Sequence, residues 1–205
     1  MNQKMKIELT LISTLLVLLN FHLVTMGVEN PLIYRLGASG PWSWAAFIFH
    51  PLVHVSFYHW ILDVSTFLVL WSGLQAGPGT KALALIIIGA TSFLSVRTLA
   101  PQAAASGFCG LSGIDHGLMT VLCLEMAETR QLRRISLLSL GLLGVKSMYE
   151  LVSGHGLFVS LHMGMCGTPV PESHAGGFLG GILCFFLLKT GMKQRPAQQR
   201  QPSIP

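Results

Sequence analysis

The stretch FCGLSGIDHG over 108–117 places glycine and polar side chains directly before an apolar run that continues to about Leu124. A second stretch, ESHAGGFLGG over 172–181, introduces another apolar run in the same way. Ser112 and His174 therefore each lie at the start of a predicted membrane helix. A hydroxyl and an imidazole in such positions are the components of a nucleophile–base pair.

The composition indicates a polytopic membrane protein. The 205 residues are 51% hydrophobic and 10% charged, with a mean hydropathy of +0.61. Soluble domains carry about 25% charged residues, so the deficit is large. The basic residues behind the net charge of +5 lie in short flanks between apolar runs. That distribution indicates membrane orientation and argues against nucleic acid as a partner.

Six apolar segments predict an all-α, six-helix transmembrane bundle, because a membrane helix needs about 20 mostly apolar residues. The first is too long for a signal peptide, so we interpret it as a retained helix. The segment 97–111 is predicted to be a loop able to dip into the membrane. The bundle domain is predicted over 1–193, with a disordered cytoplasmic tail over 194–205. The predicted helices are 7–28, 57–76, 81–96, 112–127, 135–152 and 174–191.

Six spans place both termini on one side of the membrane. Arg35 and Arg97 then lie on the opposite side, and Lys146 lies within a span. The positive-inside rule predicts cytoplasmic termini, which puts Ser112 and His174 on the outer side. The ten basic residues that share the cytoplasmic side are Lys4, Lys6, Lys81, Arg130, Arg133, Arg134, Lys189, Lys193, Arg195 and Arg200.

Ionisable residues within spans are costly and are therefore functional candidates. His59 and Asp63 are spaced i, i+4 and share a helical face. An imidazole there can bind a developing oxyanion, or it can simply hydrogen-bond to Asp63. Lys146 and Glu150, also i, i+4, are predicted to neutralise each other. The candidates are His50, His54, His59, Asp63, Asp115, His116, Lys146, Glu150 and His174.

These motifs resemble the rhomboid family of intramembrane serine proteases over about residues 49–181. That family begins its fourth helix with Gly-x-Ser-Gly, which Gly110–Gly113 matches. It carries a catalytic histidine on its sixth helix followed by small residues, as His174 is followed by Gly177 and Gly181. The family's His-x3-His-x4-His-x3-Asn pattern is matched by His50, His54 and His59, with Asp63 in place of the asparagine.

The resemblance implies that Ser112 is the nucleophile and His174 the general base. His59, position 63 and the backbone N–H of Ser112 would form the oxyanion hole. His116 occupies a position where the family often places an aromatic ring against the catalytic imidazole. Asp63 cannot donate as asparagine would unless it is protonated, and it can instead pair with His59. The supporting residues are His50, His54, His116, Gly110, Gly113, Gly177 and Gly181.

The implied activity is a serine endopeptidase that needs no metal or organic cofactor. Its substrates would be transmembrane or C-terminal membrane-anchor segments of proteins, cut near the outer face. The Leu-Ser-Gly-x-x-His-Gly form is similar to rhombosortases, which implies a bacterial inner membrane. Cys109 and Cys166 would face the oxidising side, where a disulfide between them would persist; two free thiols are the alternative.

Two other interpretations stay open. One is a catalytically inactive rhomboid-like protein that binds membrane helices, because Asp63 replaces the expected asparagine. The other is a haem- or metal-binding membrane redox protein with His59 and His174 as the ligand pair, although it leaves Gly110–Gly113 unexplained. For the protease interpretation the expected partners are membrane-anchored protein substrates and the lipid bilayer, and no oligomeric state is predicted.

Overall fold

The structure is a computed structural model, and it describes residues 3–24, 30–157 and 167–192. The predicted tail over 194–205 lies outside these residues. The secondary structure of the described part is helical, as predicted. The helices are α1 Gln3–Leu19, α2 Ser43–Phe49, α3 Phe57–Gly73, α4 Pro78–Leu99, α5 Pro101–Ser106, α6 Ser112–Ala127, α7 Arg133–Ser153 and α8 Pro171–Met192.

Three of the described helices are long and apolar enough to cross a membrane: α4, α7 and α8 as far as Lys189. The segment Ser43–Leu52 and α3, bent by 68° at their junction, count as a fourth candidate if they form one span. Helices α1 and α6, with 17 and 16 residues, are shorter than the roughly 20 that span a bilayer. The chain is thus a polytopic helical membrane protein.

Helix α6 lies at the centre and contacts α3, α4, α7 and α8. It meets α8 backbone to backbone, because a Cβ atom on Gly177 would overlap the carbonyl oxygen of Gly113. One turn later, Gly181 approaches the carbonyl of Gly117 in the same way. The close approach predicted for Gly177 and Gly181 is therefore present, as expected for small residues at a membrane helix interface.

The predicted end of the first helix is wrong. Helix α1 ends at Leu19 rather than at residue 28, and Phe21–Leu23 forms a 3-10 turn. The Asn20 side-chain amide donates to the carbonyl of Leu16 at 2.8 Å, and that of Asn30 donates to the carbonyl of Leu19 at 3.0 Å. These bonds occupy carbonyl groups that a continuing helix would use.

The prediction that 97–111 is a loop is wrong for part of the segment, which is helical. Helix α4 continues to Leu99, and α5 follows with Pro101 at its first position, where the missing N–H of proline costs nothing. Tyr34 and Phe108 then exchange two backbone hydrogen bonds of 3.1 and 2.8 Å. These bonds join the loop before α2 to the segment that leads into Ser112.

Candidate active site

Ser112 and His174 lie at the same end of the bundle. Ser112 is the first residue of α6, and His174 is in the first turn of α8. A Cβ atom on Gly113 would lie 2.9 Å from the carbonyl oxygen of Ser173. The residue after Ser112 thus meets the residue before His174, so the two helices begin side by side.

His116 links these two helix starts. Its Nδ1–H donates to the carbonyl oxygen of Ser112 at 2.7 Å. Its ring is stacked on that of His174, with centroids 4.1 Å apart and planes inclined by 8°. The stacking contact expected at this position is therefore present.

Glu150 of α7 is a neighbour of His174 that the sequence did not reveal. The Nδ1 atom of His174 lies 2.8 Å from Glu150 Oε2, and Glu150 is only 1% exposed. Lys146 Nζ donates to the same oxygen at 2.8 Å and to His116 Nε2 at 2.9 Å. The predicted Lys146–Glu150 pair is confirmed. The missed signal was the position of Glu150 in the last turn of α7, at the end of the bundle that holds Ser112 and His174.

Asp63 of α3 contacts the segment that leads into Ser112. Its Oδ2 atom accepts a 2.8 Å hydrogen bond from the backbone N–H of Leu111. The same oxygen lies 3.2 Å from His59 Nε2 and 3.4 Å from His54 Nε2. The predicted His59–Asp63 contact is confirmed, whereas the bond to Leu111 was not predicted.

His54 and His50 contact neighbouring segments around the site. His54 Nδ1 lies 3.1 Å from Asn20 Oδ1, whose amide nitrogen donates to two carbonyls. His50 packs against the rings of Tyr34, Phe93 and Phe108. Its carbonyl accepts from the N–H of Gly110 at 3.1 Å.

Gly110 requires the absence of a side chain. Its φ of +102° is strained for other residues, and a Cβ atom would lie 2.9 Å from the His59 ring. The first glycine of the Gly-x-Ser-Gly motif thus allows α3 to approach the turn before Ser112.

Residues 41–190 match the family model of the rhomboid domain. The chain belongs to the rhomboid family. The match covers most of the chain and includes His50, His59, Ser112 and His174. Comparisons with curated proteins and with solved structures gave no match.

One cluster in this rhomboid domain has the spacing of a metal site. The ligand atoms of His116, Glu150 and His174 lie within 4.8 Å of one another. Lys146 Nζ, however, already contacts both His116 and Glu150. The donor set therefore includes a cation of the protein's own, which would repel a metal ion.

The two cysteines predicted to form a disulfide flank the rhomboid motifs. Cys166 lies outside the described residues, so the Cys109–Cys166 bond stays a prediction. Burial, with a smaller contribution from the Asp63 carboxylate, raises the pKa of the Cys109 thiol to about 12. As a thiol, Cys109 therefore stays protonated and unreactive at neutral pH.

Proposed function

We propose that the chain is an intramembrane serine endopeptidase in which Ser112 is the nucleophile and His174 the general base. The observation that supports this most strongly is the double contact of His116. That residue bonds to the backbone of Ser112 and stacks on the imidazole of His174. One ring of α6 thus contacts both the backbone of Ser112 and the side chain of His174.

In the proposed reaction, Ser112 Oγ attacks the substrate peptide carbonyl while His174 takes the hydroxyl proton. Collapse of the tetrahedral intermediate breaks the C–N bond, and His174 passes the proton to the leaving amine. Water then hydrolyses the acyl-enzyme on Ser112. The Oγ–carbonyl bond breaks in this step, which restores the free serine.

The proposed oxyanion donors are His59 and the backbone N–H of Ser112. Each such donor is worth about 3–4 kcal/mol of transition-state stabilisation. Asp63 accepts hydrogen bonds in the structure, so it does not act as the amide of the family pattern would. Its contact with His59 suits a different role, in which the carboxylate orients the imidazole.

The proposed substrates are transmembrane or C-terminal anchor segments of membrane proteins, cut near the outer face. The Leu-Ser-Gly-x-x-His-Gly form and the compact core support a rhombosortase-like subtype in a bacterial inner membrane. In that case the same genome should encode proteins with C-terminal tails that combine small residues, an apolar helix and basic residues. A genome without such tails would contradict the subtype.

Labelling with a fluorophosphonate serine probe tests the proposed chemistry. We expect a covalent adduct on Ser112 in the purified protein and none in Ser112→Ala or His174→Ala. Ser106→Ala, an exposed serine of α5 at the same end, is the matched control and should label normally. An unlabelled wild type would favour the inactive helix-binding alternative, and a labelled Ser112→Ala would exclude Ser112 as the nucleophile.

A further inference from the structure

We propose that Glu150 is a positioning residue that fixes His174 as the base, so that the site works as a Ser112–His174–Glu150 triad. The rhomboid resemblance implies only the serine and the histidine. This inference rests on the proposed function, because it concerns the same site. It follows from which atoms donate and which accept in the hydrogen bonds that join His174, Glu150, Lys146 and His116.

The first step concerns the tautomer of His174. Glu150 Oε2 lies 2.8 Å from His174 Nδ1, and a carboxylate oxygen can only accept. Nδ1 therefore carries the proton, and in the neutral ring Nε2 keeps the lone pair. Nε2 is then the nitrogen able to take the proton of Ser112.

The second step concerns the acceptor role of Glu150. Its Oε1 accepts from the backbone N–H of Leu157 at 2.6 Å, and Lys146 Nζ donates to Oε2 at 2.8 Å. Every polar partner of the described carboxyl is thus a donor. These contacts hold both oxygens in place and leave Glu150 no freedom to turn away from His174.

The third step concerns His116. Its Nδ1–H donates to Ser112, and its Nε2 accepts from Lys146. His116 is therefore a neutral ring, so its stacking on His174 brings no second charge against the base. The stack fixes the plane of the His174 imidazole, and Glu150 fixes its rotation within that plane.

Burial gives the Glu150 contact its strength. The side chains of Glu150 and His174 are 1% and 12% exposed, and charges interact more strongly away from water. When His174 gains the proton of Ser112, the carboxylate stabilises the resulting imidazolium. Lys146, with a 25% exposed side chain, offsets part of this effect.

The simpler interpretation is that Glu150 only neutralises Lys146 within the bundle. A double variant separates the two. Glu150→Gln removes the carboxylate that contacts both His174 and Lys146. Lys146→Met/Glu150→Gln removes both charges of the Lys146–Glu150 pair. If neutralisation is the only role, the double variant labels at the rate of Lys146→Met alone, which loses the same contact with His116. If Glu150 positions His174, the rate stays below that of Lys146→Met.

The measurement is the rate of fluorophosphonate labelling, resolved into kinact and KI. We expect Glu150→Gln to lower kinact by about 100-fold or more, since loss of the carboxylate from known triads costs about 10⁴-fold and Lys146 offsets part of it. KI should stay unchanged, because Glu150 is only 1% exposed and offers no surface to a bound probe. Glu128→Gln, which breaks an exposed pair with Lys189, is the matched control and should label like the wild type.

The unfolding midpoint and the final fraction labelled show whether each variant is folded. The double variant leaves no unpaired buried charge, so it carries the test if Glu150→Gln alone does not fold. A wild-type kinact in Glu150→Gln, or a double variant that labels as fast as Lys146→Met alone, overturns the positioning role while leaving Ser112 and His174 intact. Absence of Ser112 labelling in the wild type overturns the proposed function, and this inference with it.

Discussion

At the scale of the residue, Asp63 is the most informative departure from the family pattern. Its carboxylate contacts the N–H of Leu111, the residue directly before Ser112, and faces the rings of His54 and His59. An asparagine would offer one acceptor and one donor group, whereas the carboxylate offers acceptors alone. The Asp63 carboxylate therefore contacts two imidazoles and the backbone directly before α6.

We expect Asp63→Asn to lower the free energy of unfolding by about 1–3 kcal/mol, as loss of a buried charged hydrogen-bond partner does. The amide oxygen can still accept from Leu111, but the charge that faces His59 is lost. Labelling of Ser112 should slow for the same reason. Chemical unfolding and probe labelling in detergent micelles check both effects.

Glu128→Gln serves again as the control, since it removes a carboxylate from a partly exposed pair. Preserved or faster labelling in Asp63→Asn would show instead that an amide at position 63 serves the oxyanion directly.

Residue contacts were predictable from the sequence where they follow from helical spacing. His59–Asp63 and Lys146–Glu150 are both i, i+4 pairs, and spacing alone places such pairs on one face. The contacts of Glu150 with His174 and of Asp63 with Leu111 join segments distant in sequence. They depend on how the helices pack, which a single sequence does not contain.

At the scale of the element, α8 is inserted between α4 and α6 through two glycine faces. Gly177 and Gly181 face α6, while Gly176 and Gly180 approach Thr91 of α4. Adjacent glycine pairs thus let one helix contact two neighbours closely. The face toward α6 was predicted, but the face toward α4 was not, although it has the same spacing.

We expect Gly177→Ala to lower the free energy of unfolding by about 1–3 kcal/mol or more, because its Cβ atom would overlap the backbone of Gly113. Ser112 labelling should fall as well, since the starts of α6 and α8 would separate. Gly141→Ala on the exposed side of α7 meets no atom within 4 Å. That control should be neutral or slightly stabilising; equal losses in both variants would contradict close helix contact as the cause.

Helix positions were well predicted where apolar runs begin and end sharply, as for α6. The end of α1 was not, because it depends on the Asn20 and Asn30 amides that occupy its last carbonyls. Such bonds are tertiary contacts and leave no periodic signal in the sequence.

At the scale of the whole molecule, the two ends of the bundle differ in charge. One end holds Lys81 at the start of α4, Arg133 at the start of α7 and Lys189, which pairs with Glu128 at 3.0 Å. The Ser112–His174 end holds Arg97 and Arg35, which lies near Gly107. This separation supports the predicted orientation, in which the basic end is cytoplasmic.

We expect a membrane-impermeant maleimide to label Ser39→Cys in intact cells and to leave Gln131→Cys unlabelled. Both positions are exposed, but they lie in loops at opposite ends of the bundle. The parent chain, with its own cysteines, gives the background. The reverse pattern of labelling would show that the orientation is inverted.

In the proposed protease, the shortness of α6 would set the depth at which a substrate is cut. The Gln75 N–H, just before α4, donates to the Glu125 side chain in the last turn of α6 at 3.1 Å, so the start of α4 and the end of α6 lie close together. From there α4, with 22 residues, rises about 33 Å, whereas α6, with 16, rises about 24 Å. Ser112 thus lies about 9 Å below the far end of α4, a distance of roughly six helical residues. In the proposed reaction, a substrate helix aligned with α4 would bring to Ser112 a bond about two turns inside the nearer end of that helix. Those two turns, rather than the exposed part of the substrate, would then decide which proteins are cut.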